Sequence, residues 1–170
     1  GDPKGSVNVY RKLAKSGGSK AELAQYKLGY MAWDQGEMEE SIALFKDYSE
    51  TYPAGKYRDT ALWFTGMAQI QLGETRAANR TFKMLEVSHP VSSLRPGSVY
   101  WQAMTSQDSS RDPLLKKVQK VWPKSGYAWF ASKTLQTAFP AKTGSWEGQT
   151  VVDLEHHDWD IGTRLSEVGL

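Results

Sequence analysis

A spacing of 37 residues runs through this chain, and no other feature narrows its fold as far. Tyr26, Trp63 and Tyr100 stand 37 apart, and so do Gly29 and Gly66, with Ala103 next in register. Gly36 and Gly73, Phe45 and Phe82, and Pro53 and Pro90 keep the same step. A fixed period of this length marks a stack of small units, each unable to bury a core alone and each covered by its neighbours. One period reads as a helix, a turn at glycine, a second helix and a closing proline: "AELAQYKLGYMAWDQG" then "EMEESIALFKDYSETYP", and "RDTALWFTGMAQIQLG" then "ETRAANRTFKMLEVSHP". The fold predicted is therefore all-α, built from helical hairpins.

Local chemistry sharpens the helix limits. Ser19 lies three residues before Glu22, which predicts a capping box, and Asp112 before Pro113 predicts an N-cap followed by a first-turn proline. Ile42, Phe45 and Tyr48 in one second helix, and Ala78, Phe82 and Leu85 in the next, fall at helical spacing and predict a buried stripe. Upstream, Val9, Tyr10 and Leu13 form the apolar side of a short helix ending at Gly17 and Gly18, which suits the second helix of a preceding hairpin. The third unit departs from the period. "GSVYWQAMTSQ" keeps the register, but "DPLLKKVQKVWP" is shorter and brings Pro123 only 33 residues after Pro90. Three joints then align as "YPAGKY", "HPVSSL" and "WPKSGY", a ring, a proline, three spacers and then Tyr57, Leu94 or Tyr127. A further helix follows through "YAWFASKTLQTAF", with an irregular loop expected near residues 139–150.

Composition narrows the function classes. Basic side chains number 21 against 19 acidic, so the net charge of +2 gives no drive toward nucleic acid or an anionic membrane. The absence of cysteine removes disulfides, thiolate nucleophiles and cysteine-ligated zinc, and is compatible with periplasm and cytosol alike. No apolar run has the length of a membrane-spanning helix, and "GDPKGS" is too polar for a signal peptide.

The period also carries a likeness. The first unit resembles a tetratricopeptide repeat through Leu28, Gly29, Phe45 and Pro53, with Ala32 where an aromatic is usual and Ser41 where alanine is usual. The second resembles it through Leu62, Gly66, Ala78, Phe82 and Pro90, with Thr65 and Gln69 departing from the pattern. The resemblance implies a right-handed α-α superhelix of about four hairpins whose first helices line a concave face, where a peptide or partner protein binds. On those helices Tyr26, Trp63 and Tyr100 form one series, Tyr30, Met67 and Met104 a second, and Trp33, Ile70 and Gln107 a third. Tyr26, Tyr30, Trp33, Trp63, Met67, Tyr100 and Met104 are thus the candidate groove residues, with faces suited also to stacking on sugar rings. Packing against the neighbouring hairpin is the competing reading of the same stripe.

A narrower resemblance covers the last third of the chain. "WPKSGYAWFASKTL", through Pro123, Ser125, Tyr127, Ala131 and Leu135, is similar to the joint in the helical superhelix of soluble lytic murein transglycosylases, and "DWDIGTRLSEVGL" resembles a later helix there. It implies a noncatalytic helical domain over 1–170, a fragment of a longer periplasmic enzyme that cleaves peptidoglycan, with the catalytic acid on a separate domain. The alternative is a stand-alone adaptor that grips a peptide or partner protein.

No complete catalytic motif is present in the sequence. Glu40 and Ser41 supply a glutamate-serine pair, but inside a repeat helix, and "GMAQ" at 66–69 takes its glycine from the repeat. Glu167 in "SEVGL" has the reverse order. "KTG" at 142–144 lacks the serine nucleophile motif that accompanies it in penicillin-binding proteins, and Ser145 and Trp146 read as loop. His156 and His157, beside Glu155, Asp158 and Asp160, are adjacent rather than four apart, so on a helix they diverge by about 100° and suit a solvated turn better than a metal. No phosphate-binding glycine loop occurs, and no cofactor is expected.

Overall fold

The computed structural model describes residues 3–107 and 109–137, with side chains from Ser6 onward. Over these residues the chain forms eight helices and no strand: α1 (Pro3–Ala14), α2 (Gly18–Asp34), α3 (Met38–Thr51), α4 (Arg58–Gln71), α5 (Thr75–Ser88), α6 (Arg95–Thr105), α7 (Arg111–Val121) and α8 (Gly126–Leu135). Each helix packs on the next along the chain, and α2 also touches α4 as α6 touches α8. Three full hairpins, α2–α3, α4–α5 and α6–α7, thus stand between the single helices α1 and α8, an all-α stack of hairpins as the period predicts.

The hairpin tips are built alike because their glycines adopt a conformation other residues avoid. Gly36 and Gly73 have φ of 81° and 75°. Glu37 N–H bonds the Ala32 carbonyl and Gly36 N–H that of Trp33, and Glu74 and Gly73 repeat this with Gln69 and Ile70. Both tips are therefore Schellman motifs, in which a left-handed residue satisfies the last carbonyls of the first helix.

Inside each hairpin a glycine faces a phenylalanine. A Cβ placed on Gly29 would lie 2.8 Å from the Phe45 ring, and one on Gly66 would lie 2.6 Å from that of Phe82. The two helices approach this closely because the side chain is missing there. In the third hairpin the pair is Ala103 and Leu115, both fully buried in one cluster with Val99, Val118, Ala128 and Ala131. The smaller leucine leaves room for the methyl. Leu115 lies 33 residues after Phe82, as Val118 does after Leu85, so four residues are lost between α6 and α7. Four residues are close to one helical turn, and a loss of that size at the tip leaves the buried face of α7 in phase.

The joints superpose in detail. Tyr52, His89 and Trp122 cap α3, α5 and α7 with φ/ψ of −123°/73°, −125°/68° and −128°/58°. A following proline disfavours the helical region at each of them. Two turns then recur: Gly55, Ser92 and Ser125 donate back to the carbonyls of Tyr52, His89 and Trp122, and Arg58, Arg95 and Ala128 to those of Gly55, Ser92 and Ser125. Arg58 and Arg95 also reach back to the carbonyls of Pro53 and Pro90, a column of the period that holds the joint shut from outside.

Two expected helix starts differ. α2 begins at Gly18 after Gly17 with φ 78°, so Ser19 is already helical and caps nothing. Glu22 is used instead at the first joint, where its Oε1 accepts from the Tyr48 hydroxyl at 2.9 Å and from Lys56 N–H at 2.6 Å. α7 starts at Arg111 behind Ser110, which places Asp112 inside the first turn, where its charge favours the exposed N–H groups. Val9 is exposed, so only Tyr10 and Leu13 of the three α1 positions are drawn partly inward. The loop expected near 139–150, "KTG", Ser145, Trp146, the two histidines and Glu167 lie outside the described residues.

Candidate functional site

The first helices carry the predicted ladder, and its members part according to what folds over them. Tyr26 is buried against Phe45 and Tyr48, and the joint residue Tyr57 stacks on it at 4.7 Å and 16°. Burial raises the Tyr26 hydroxyl well above its ordinary pKa, with Tyr30, Asp59 and Tyr57 adding to the effect. Trp63 is buried against Phe82 at 5.6 Å and Tyr127 at 6.2 Å. Met67 is fully buried, and Trp33 is buried with its ring 4.9 Å from Phe64. Four of the seven candidate positions, Tyr26, Trp33, Trp63 and Met67, thus contribute packing between helices. Joint rings cover two of them: Tyr57 lies on Tyr26, and Tyr127 sits between Trp63 and Tyr100, 5.6 Å from the latter.

The other three keep a surface. Tyr30 and Tyr100 are half-buried, and Met104 is 38% exposed. Tyr30 leans on Phe64 at 5.2 Å, with the Lys27 ammonium 5.3 Å from its ring centre. Tyr100 joins a cluster absent from the sequence-derived set, since Phe130 lies 6.0 Å from it and Trp129 lies 5.2 Å from Phe130. Trp129 and Phe130 are 45% and 46% exposed. Lys133 stands 5.3 Å from the Trp129 ring, close enough for a cation–π contact. The signal that finds these two residues is the register of the joints. Counted back by 33 and then twice by 37, Phe130 falls at the positions of Gly97, Thr60 and Leu23, one turn before the Tyr26 series on the first helices.

Gly97 explains why the ladder closes in the middle. A Cβ there would meet the Tyr127 ring at 2.7 Å and Trp63 at 2.8 Å, so the bare backbone of α6 lets a ring from α4 and one from the third joint come together across it.

The polar side chains inside the stack hold structure. Ser41 donates to the Gly29 carbonyl at 2.9 Å, and Gln69 accepts from Thr81 at 2.7 Å, so Ser41 and "GMAQ" are parts of the hairpin packing, while Glu40 is exposed with Arg11 3.9 Å away. Glu86 ties three helices, accepting from Gln102 of α6 at 2.8 Å and pairing with Lys117 of α7 at 2.5 Å. Burial pushes its carboxyl up, but the hydrogen bonds from Lys117 and Gln102 and the nearby positive charges outweigh this and hold it below the usual glutamate range. Among the described residues no group of three histidine, cysteine or carboxylate side chains is placed to hold a metal, and no helix is long and apolar enough to cross a membrane.

Residues 23–54, which are most of α2, all of α3 and the start of the first joint, match the tetratricopeptide repeat family model. The stack is a tetratricopeptide-like helical repeat. No curated protein matches the chain. The matched hairpin carries the Gly29–Phe45 contact and Pro53, and the α4–α5 hairpin repeats the same geometry with Gly66, Phe82 and Pro90. Repeats of this kind serve as scaffolds for interaction with other proteins, on extended surfaces made by stacking.

Proposed function

We propose that this chain is a noncatalytic scaffold that holds an extended peptide segment of a partner protein on its first-helix face, with the contact centred on Tyr100, Met104, Trp129 and Phe130. The observation that carries this reading is the open aromatic cluster on α6 and α8. Tyr26 and Trp63 are packed under joint rings, whereas Trp129 and Phe130 stay nearly half exposed. Large rings with few rotatable bonds give binding area at low entropic cost, and such anchors dominate interface energetics. Tyr30 and Lys27 extend the same face toward the first hairpin, and Tyr26, Trp33, Trp63 and Met67 support it from below.

The setting of this scaffold in the bacterial envelope, as the superhelical part of a periplasmic lytic transglycosylase acting on peptidoglycan, is a further part of the proposal. It is supported by the likeness of Pro123, Ser125, Tyr127, Ala131 and Leu135 to that family's joint. In this chain Ser125 caps α8, accepting from Ala128 N–H, and Ala131 is fully buried. A peptide library displayed against the purified chain, followed by titration of a selected peptide, tests the binding face. Phe130→Ala and Tyr100→Ala should each weaken binding about tenfold or more while helicity is unchanged. Equal binding by both variants sinks the site. Sedimentation with purified peptidoglycan tests the envelope setting separately, and failure to co-sediment argues for the adaptor reading.

A further inference from the structure

The second helices α3, α5 and α7 present outward positions related by the register of the joints, 37 residues from α3 to α5 and 33 from α5 to α7. Asp47, Met84 and Lys117 are equivalent in this register, as are Glu50, Val87 and Lys120, and then Ala54, Val91 and Lys124. All nine are exposed. The middle helix exposes Met84 at 52% and Val87 at 70%, and the joint after it exposes Val91 at 96%, while α7 exposes Val121 at 51% at its end. At the first two of these levels the outer face therefore reads acidic on α3, apolar on α5 and basic on α7. Glu39 and Glu40 extend the acidic side and Lys116 the basic one, while Lys46 and Lys83, which share the register of Lys116, add an exposed lysine to α3 and to α5.

We infer that this face pairs with the same face of a second copy of the chain, about a two-fold axis running along α5. Rotation about that line exchanges the α3 and α7 sides while keeping each residue at its own height. Met84 and Val87 then meet their own copies on the axis. Asp47 comes opposite Lys117 of the second copy and Glu50 opposite its Lys120, with the reciprocal pair on the other side. A two-fold interface needs one surface complementary to itself, and an acidic–apolar–basic order meets that requirement. An in-plane axis across the helices would instead set α3 against α3, like charge on like.

The same face limits the contact. Arg76, Arg80 and Lys83 are exposed cations ahead of Met84 on α5 and would approach their own copies, so the interface is confined to the last turn of the helix, from Met84 onward. Glu50 already faces Lys46 at 4.0 Å, Lys117 is drawn to Glu86, and Asp47 accepts from Gln25. The first is an exposed pair along one helix, weak enough to exchange for a contact between copies. Lys120 has no such engagement among the described contacts and is the better reporter.

Analytical ultracentrifugation of the whole chain over a concentration series, at low and high salt, tests the pairing. The expected result is a monomer–dimer equilibrium that weakens about tenfold or more on raising salt, because the flanking pairs are solvent-exposed. Val87→Asp should abolish it. Glu50→Lys and Lys120→Glu should each weaken it, and the double variant E50K/K120E should recover it, since the reversed charges face each other again across the axis. All these positions are exposed, and circular dichroism verifies that each variant folds. A monomer at every concentration overturns the inference. So does a dimer indifferent to Val87→Asp, a double variant no better than the singles, or saturable binding of an acidic peptide to this face in place of self-association.

Discussion

Replacing Gly66 by alanine tests whether the glycine–phenylalanine contact is what sets the distance between paired helices. The new methyl would stand 2.6, 2.7 and 3.0 Å from three atoms of the Phe82 ring, where ordinary contact begins at 3.4 Å. The ring must retreat by about 0.8 Å, yet it is fully buried and backed by Trp63. In an open helix the same change would stabilise by about 1 kcal/mol through helix propensity. Overpacking in a filled core costs about 1–3 kcal/mol, and three close contacts place this site toward the upper end, leaving a net loss of about 2 kcal/mol. The third hairpin shows the remedy, because Ala103 is paired there with the smaller Leu115. Phe82→Leu alone should cost about 1–2 kcal/mol for lost ring contacts, while Gly66→Ala with Phe82→Leu should lie within about 1 kcal/mol of the original protein, since the clash is gone and the propensity gain remains. Urea titrations followed by far-ultraviolet circular dichroism measure all three. Strict additivity, or a Gly66→Ala protein at least as stable as the original, would refute the reasoning.

Three further outcomes follow from named contacts. Tyr48→Phe removes the hydroxyl that donates to Glu22 and accepts from Tyr57 N–H at 2.9 Å, and should destabilise by about 1–3 kcal/mol in thermal unfolding, because the Tyr57 N–H loses its partner. The depressed Glu86 carboxyl contributes stability that is present above the usual glutamate range and lost as pH falls through its lowered value. Glu86→Gln should therefore flatten the acid limb of a stability–pH profile, and an unchanged slope would show that the Lys117 pair contributes nothing. Gly97→Ala should cost about 1–3 kcal/mol and alter the near-ultraviolet spectrum of Trp63, because its methyl enters the space between that ring and Tyr127.

The fold was legible because repetition is a strong signal: Gly36 and Gly73 marked the tips, Pro53, Pro90 and Pro123 the joints, and Phe45 and Phe82 the buried stripe, all from spacing alone. Helix starts were less so. Ser19 and Asp112 fit capping patterns, but glycine at 17 and serine at 110 began those helices, and boundary patterns of one or two polar residues are easily shifted by a residue or two. The ladder was legible as a set of equivalent positions and not as a surface. Tyr26 and Tyr100 are each followed by a joint tyrosine, but Tyr57 stacks flat on Tyr26 whereas Tyr127 is tilted to Tyr100 and shared with Trp63, a difference of geometry between residues distant in sequence. Trp129 and Phe130 could be placed only by carrying the register through the shortened third unit.

That shortened unit bears on how the stack behaves as a whole. In a simple repeat array each hairpin touches only its neighbours, and stability is a sum of units and adjacent interfaces. Here Trp63 of α4 reaches past α6 to Tyr127 at the start of α8, through the gap at Gly97. Tyr127 in turn touches Tyr100 and Phe130, so one ring system joins the second, third and fourth hairpin positions. The Glu86 bonds to Gln102 and Lys117 cross the same boundary on the other side of α6. Loss of order at the second hairpin is thereby felt at the exposed Phe130 cluster, and the proposed peptide face depends on packing two helices away from it.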